Sequence, residues 1–133
     1  MLAAIHERYA RFEQAIAVLE AALKANPTDT GLNLLLGEAY LRTGRYDQAI
    51  KQMTDLLSRQ PDVAGARLVR GQALFARGDR AAALTEFAEV VKANPKAPLA
   101  HYYLARAHAA AGRLPEAQAA YREQAEGLIE GGV

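Results

Sequence analysis

Three histidines, His6, His101 and His108, hold all the imidazole in the 133 residues and so bound what metal or acid-base chemistry the chain can offer. His101 and His108 are seven residues apart. On one helix, a rise of about 1.5 Å per residue separates them by about 10 Å along the axis, too far to share a metal ion without a third element between them. Their expected role is packing or partial exposure. The absence of cysteine removes a disulfide framework, a thiolate zinc site and a sulfur nucleophile. Neither HExxH nor GxSxG occurs, no glycine loop is built to cradle phosphate, and the carboxylates are scattered with no acid and base pair among them. No metal, no cofactor and no enzymatic activity are expected. The densest polar feature is Arg67, Arg70, Arg77 and Arg80. Its expected role is structural, with the aliphatic stem of Arg70 packed and its guanidinium reaching an acid such as Asp55 or Glu86. The alternative is an anion site for an acidic peptide or a polysaccharide.

Composition narrows the partners. Apolar residues make up 51% of the chain and charged ones 23%, which suits a folded protein rather than a disordered one. Sixteen basic residues stand against 15 acidic ones for a net charge of +1, so no global field favours a nucleic-acid backbone or an anionic membrane. No apolar run approaches the roughly 18 residues of a membrane span, and Met1 to Glu7 lacks the pattern of an export signal. Direct membrane insertion is not expected. Alanine, the strongest helix former, occurs 30 times, which favours an all-α chain of one domain. The excess of arginine, 12 against 4 lysines, fits a bacterial source, with cytoplasm and periplasm both open.

The elements that must position any functional group announce themselves by a 34-residue period. Pro27, Pro61 and Pro95 keep this step, as do Gly44, Gly78 and Gly112. Ala15, Ala49, Ala83 and Ala117 form a third register, Gly37, Gly71 and Ala105 a fourth, and the large apolar Leu19, Met53, Phe87 and Tyr121 a fifth. Steps of three and four among apolar residues predict helices over 30–43, 46–58, 63–77, 80–93, 98–111 and 115–129, with turns at the glycines and prolines between them. At the N-terminal end a helix over 12–27 follows the tail of another over 1–8. The small residues let paired helices approach while Tyr40, Leu74, Met53 and Phe87 fill the space around them.

Leu36-Gly37, Tyr40, Gly44, Tyr46, Ala49, Met53 and Pro61 together resemble the tetratricopeptide repeat, a 34-residue helix-turn-helix unit. The resemblance implies an all-α, right-handed superhelical solenoid forming one domain over 1–133, with a partial repeat over 1–29 and full repeats over 30–63, 64–97 and 98–131. Arg67 and Arg70 depart from the pattern at large apolar positions, His101 and His108 at aromatic ones, and Ile129 where the family has a terminal proline. Met1 to Arg8 is only the tail of a first helix, and the chain ends at Glu130-Gly131-Gly132-Val133 after a helix carrying Tyr121, Leu128 and Ile129. Neither end carries a polar cap, so the expectation is a segment of a longer array or an end-to-end homo-oligomer.

The resemblance also places a partner on the concave face. The positions carried over are Gly31, Leu34, Glu38 and Leu41, then Gly65, Leu68, Gln72 and Phe75, then Leu99, Tyr102, Arg106 and Ala109. Leu34, Leu68 and Tyr102 form an apolar stripe, widened by Leu41 and Phe75, beside a polar row of Glu38, Gln72 and Arg106. Tyr102, Tyr103 and Phe75 are the side chains on which affinity should centre. The lysine, asparagine and arginine clamp by which some family members hold a C-terminal carboxylate is missing; Leu34, Leu35, Leu68, Val69, Tyr102 and Tyr103 stand at those positions. The expected function is a non-enzymatic protein–protein interaction scaffold that binds a partner peptide or helix in an apolar groove. Two alternatives are a self-assembling structural scaffold and a segment of a larger bacterial envelope or polysaccharide-export protein that recruits a modifying enzyme.

Overall fold

Each predicted helix-stop glycine takes a backbone conformation that other residues resist. Gly44, Gly78 and Gly112 have φ of 77°, 104° and 78°, and each ends a helix with the same two bonds. The Gly44 amide donates to the Leu41 carbonyl at 3.2 Å and the Arg45 amide reaches back to Tyr40 at 2.8 Å. The equivalent bonds run from Gly78 to Phe75 at 3.1 Å and from Asp79 to Leu74 at 2.8 Å, then from Gly112 to Ala109 at 3.0 Å and from Arg113 to His108 at 2.8 Å. A left-handed residue is what lets the chain fold back and satisfy those last carbonyls.

The computed structural model describes the backbone of residues 2–131 and the side chains of residues 7–126. His6, Leu128, Ile129 and the two terminal residues that entered the reading of the chain ends lie outside the described side chains. The elements are α1 (Leu2–Ala25), α2 (Thr30–Arg42), α3 (Tyr46–Arg59), α4 (Ala64–Arg77), α5 (Arg80–Ala93), α6 (Pro98–Ala110) and α7 (Leu114–Gly131), with no strand among the described residues. Six of these match the predicted spans to within two residues at each end.

The first helix is the exception. The sequence predicts a break between Arg8 and Phe12, whereas α1 runs unbroken from Leu2 to Ala25. The cause lies in the register: Ala10 stands 34 residues before Gly44, where the three later repeats have glycine. Alanine favours the helix and resists positive φ, so nothing stops the chain there.

The chain divides into two compact units, residues 1–73 and residues 74–133. In the first, Ile16 of α1, Leu36, Ala39 and Tyr40 of α2, Ala49 of α3 and Ala73 of α4 form one cluster. Met53, Leu56, Leu57, Ala66 and Val69 form a second, with Leu34 and Leu41 packed against it. A β-carbon built at Gly37 would collide with the Cε of Met53 and lie 2.9 Å from its Sδ, so α2 and α3 touch as closely as they do because that position has no side chain. Burial raises the pKa of the Tyr40 hydroxyl, with Glu20 adding to the rise and Arg45 opposing it. Arg45 in turn pairs with Glu13 of α1 at 2.7 Å.

In the second unit, α6 packs against both α5 and α7. Its buried residues are mostly alanines, Ala83, Ala100, Ala105, Ala107, Ala117 and Ala120, with Phe87 and Val90 as the larger members. Phe87 is 1% exposed and stacks on Tyr103 with ring centroids 5.4 Å apart.

The turns at Pro27 and Pro95 are each tied by a side chain two periods apart in the same register. Asn33 Nδ2 donates to the Asp29 carbonyl at 2.7 Å and to the Pro27 carbonyl at 3.3 Å. His101, 68 positions later, bonds through Nε2 to the Pro95 carbonyl at 2.6 Å. A carbonyl only accepts, so Nε2 carries the proton and the ring acts as the amide of Asn33 does. Asp29 caps α2 by accepting from the Leu32 amide at 2.9 Å.

Candidate functional site

The nine residues proposed to meet a partner fall into both units. In the first, Leu34 and Leu41 are partly buried against the cluster around Met53, so much of their apolar surface is spent on the fold. Glu38 is exposed and pairs loosely with Arg42 one turn on, at 3.8 Å. Leu68 and Gln72, both on α4, are partly buried.

The second unit brings its four together. Phe75 on the last turn of α4 lies under the guanidinium of Arg106, whose Cζ is 5.7 Å from the ring centroid. Arg106 also lies 5.7 Å from the ring of Tyr102, one helical turn earlier on α6. Tyr102 meets Tyr103 edge to face at 5.3 Å, and Tyr103 continues into the buried ring of Phe87. Arg80, the first residue of α5, adds a second guanidinium over Phe75 at 5.7 Å. The i, i+4 spacing of Tyr102 and Arg106 aims both from one face of α6.

Such a cluster has a definite chemistry. Flat aromatic faces hold each guanidinium by cation–π attraction, worth about 0.5–1 kcal/mol at an exposed site, and leave its N–H edge open to an acceptor. Tyr102 is 36% exposed and neighbouring Leu99 53%, so an apolar ledge borders the cations. The site is anchored from below, since Tyr103 stacks on the fully buried Phe87. The sequence singled out the aromatics, while the part of Arg80 went unseen because it belongs to the next helix. Its signal was Arg80 following directly on the Gly78-Asp79 turn, five residues after Phe75.

The basic stretch does not act as one group. Arg70 donates to Thr54 Oγ1 at 3.3 Å, whereas Arg77 pairs with Asp79, its Nε donating to Oδ2 at 2.9 Å. Arg67 is partly buried and engaged in contacts of its own. His101 is 4% exposed and occupied with its turn, and His108 is partly buried with Nδ1 unpaired. Among the described residues no three of histidine, aspartate and glutamate are placed to hold a metal ion. No described helix is long and apolar enough to cross a membrane.

Comparison with known proteins fits this fold. Models of the tetratricopeptide repeat match residues 9–72 and 68–127. A search of curated proteins gives no match. Among solved structures, the chain is similar to MamA 41-end from Desulfovibrio magneticus RS-1, with a TM-score of 0.82 and 16% identity, covering 93% of this chain and 70% of that one. It is likewise similar to TTC0263, a thermophilic tetratricopeptide protein of Thermus thermophilus, with a TM-score of 0.79 and 24% identity over 92% of this chain and 70% of that one. A crystal structure of MamA gives a TM-score of 0.77 at 24% identity, covering 89% and 69%. With 34-residue helix pairs, glycine stops and small-residue contacts in the same registers, the chain belongs to the tetratricopeptide repeat family.

Proposed function

We propose that the chain is a non-enzymatic protein-interaction scaffold whose partner segment lies across Phe75, Tyr102, Tyr103 and Arg106. Membership of a repeat family of protein-interaction modules supports the general role. The observation that carries the finer reading is the contiguous aromatic and guanidinium surface, exposed at Tyr102 and Arg106 yet fixed to the core through Tyr103 and Phe87. Rigid aromatics and arginine are the side chains that most often carry binding energy, because they bring large contact area at small entropic cost. Leu34, Glu38, Leu41, Leu68 and Gln72 then extend specificity rather than dominate affinity, since Leu34 and Leu41 already serve packing.

The test is capture from a lysate of the source organism with the native chain and with a Tyr102→Ser, Arg106→Ser variant, after circular dichroism shows equal helicity. A protein retained by the native chain and lost from the variant is the expected result. Equal recovery by both would remove the reading. Self-association is a second reading, favoured by one feature: Leu114 and Tyr121 of α7, two turns apart on one side of that helix, are 61% and 41% exposed. It predicts capture of the chain by itself, insensitive to the same variant.

A further inference from the structure

A pocket of about 420 Å³ opens between α1, α2 and α3 in the first unit, with Asn33 and Tyr40 in its lining. Asn33 is short for its position: Arg67 and His101, both longer, hold the same register 34 and 68 residues on. Both ends of its amide are engaged, Nδ2 with the carbonyls of Pro27 and Asp29 and Oδ1 with Gln52 Nε2 at 2.6 Å. With that nitrogen occupied, Gln52, also in the lining, keeps Oε1 as an unused acceptor. Tyr40 is 7% exposed, yet its hydroxyl has no hydrogen-bond partner among the described residues. Burial, and after it the charge of Glu20, holds that hydroxyl protonated. Glu20 and Lys24 stand one turn apart on α1, both in the lining, and neither forms an ion pair with a described residue. Leu23, Pro27 and Leu36 supply apolar wall. The Pro27 carbonyl is pinned by Asn33 and by Arg59 Nη1 at 3.2 Å, so that wall is fixed.

The next repeat supplies a group to this place from within the chain. Thr54 and Arg70 stand 34 residues after Glu20 and Leu36, and Arg70 Nη1 donates to Thr54 Oγ1 at 3.3 Å. A guanidinium crosses the space there. In the earlier repeat Leu36 carries no such group, and Glu20 offers a full negative charge where Thr54 offers a hydroxyl. We propose that the pocket binds a free small molecule with a guanidinium on an aliphatic stem and a carboxylate at the other end, the chemistry of arginine. Its guanidinium donates to the Glu20 carboxylate, to Tyr40 Oη and to Gln52 Oε1. A planar fork of N–H donors suits acceptors on three separate side chains better than a compact ammonium does. The stem lies on Leu23, Pro27 and Leu36. The carboxylate pairs with Lys24, whose Cα is about 6 Å along α1 from that of Glu20 at 1.5 Å per residue. None of these residues belongs to the surface around Tyr102, so the site stands independently of the proposed partner surface.

The test is a titration of the full chain with L-arginine, followed by amide chemical shifts in nuclear magnetic resonance. Saturable shifts should appear around Glu20, Tyr40 and Gln52. Tyr40→Phe keeps the ring and loses no internal hydrogen bond, so it should leave the melting temperature unchanged and weaken arginine about tenfold. Glu20→Gln, at an exposed position, should do the same. L-lysine should bind less tightly than L-arginine. N-acetyl-L-argininamide, which imitates an arginine inside a protein, should also bind about tenfold more weakly, because it has no carboxylate for Lys24. Lys24→Gln should therefore weaken L-arginine and leave N-acetyl-L-argininamide unchanged. Tyr102→Ser should leave every titration unchanged. Absence of a saturable shift with L-arginine overturns the proposal. So do shifts that persist in full in both Glu20→Gln and Tyr40→Phe, which would place the molecule elsewhere. Equal affinity for L-arginine and N-acetyl-L-argininamide would overturn it in favour of an arginine side chain of another protein as the occupant.

Discussion

Phe87→Ala is expected to destabilise the second unit by about 3–5 kcal/mol, the range for removing a buried aromatic ring. The upper end is expected for a specific reason. The buried residues of the second unit are mostly alanines, so apart from Tyr103, which stacks on the ring, few long side chains can collapse into the vacated space and much of the cavity persists. Domains of this size hold about 5–15 kcal/mol in total, so the change removes a large share of it. The effect reaches the proposed partner surface, because Tyr103 loses the ring it stacks on and Tyr102 loses the edge contact that Tyr103 holds in place. Denaturant unfolding followed by circular dichroism should show an early transition for the second unit, with Phe87→Leu retaining most of the stability. A loss below about 1 kcal/mol would mean that the ring does not organise this core.

The second large effect is a coupling between two positions. Met53→Ala should cost about 2–5 kcal/mol, since Met53 is 0% exposed and fills the space between α2 and the following helix. Gly37→Ala alone should cost about 1–3 kcal/mol, because the new methyl would meet the Cε, Sδ and Cγ of Met53 at once. Combined, the two should cost much less than their sum. The added methyl occupies space that the shortened side chain has left, and alanine is favoured over glycine inside a helix by about 1 kcal/mol. A double-mutant cycle measured by denaturant unfolding should return a coupling above about 1 kcal/mol in favour of the pair. Additive losses would show that the close approach at Gly37 is not what sets the spacing of α2 and α3.

The repeat grammar was legible because it is written in steric necessity. Gly44, Gly78 and Gly112 had to take positive φ, and Gly37 had to be small against Met53, so their 34-residue spacing carried the fold. The continuity of α1 was hidden by the opposite fact: the expected break rested on the pattern of the later repeats, while Ala10 lacked the glycine that makes it. At the proposed partner surface, Phe75, Tyr102, Tyr103 and Arg106 were named from their registers, but not that Arg106 lies over two rings or that Arg80 shares one of them. Cation–π contacts depend on side-chain direction, which spacing alone does not fix. His101 read as a misplaced aromatic, whereas its Nε2 ties down the Pro95 turn as Asn33 ties down Pro27, a role visible only when positions 33 and 101 are compared in space.

The most direct measurement of the central claim is a calorimetric titration of the partner segment recovered by the native chain, repeated with three single variants. Tyr102→Ser and Arg106→Gln should each weaken binding about tenfold or more, the size expected where aromatic and arginine side chains dominate an interface. Val18→Ser, at an exposed residue on the first unit, should leave the affinity unchanged. Loss of affinity at Val18 with none at Tyr102 or Arg106 would contradict the assignment of the partner surface to α6 and its neighbours.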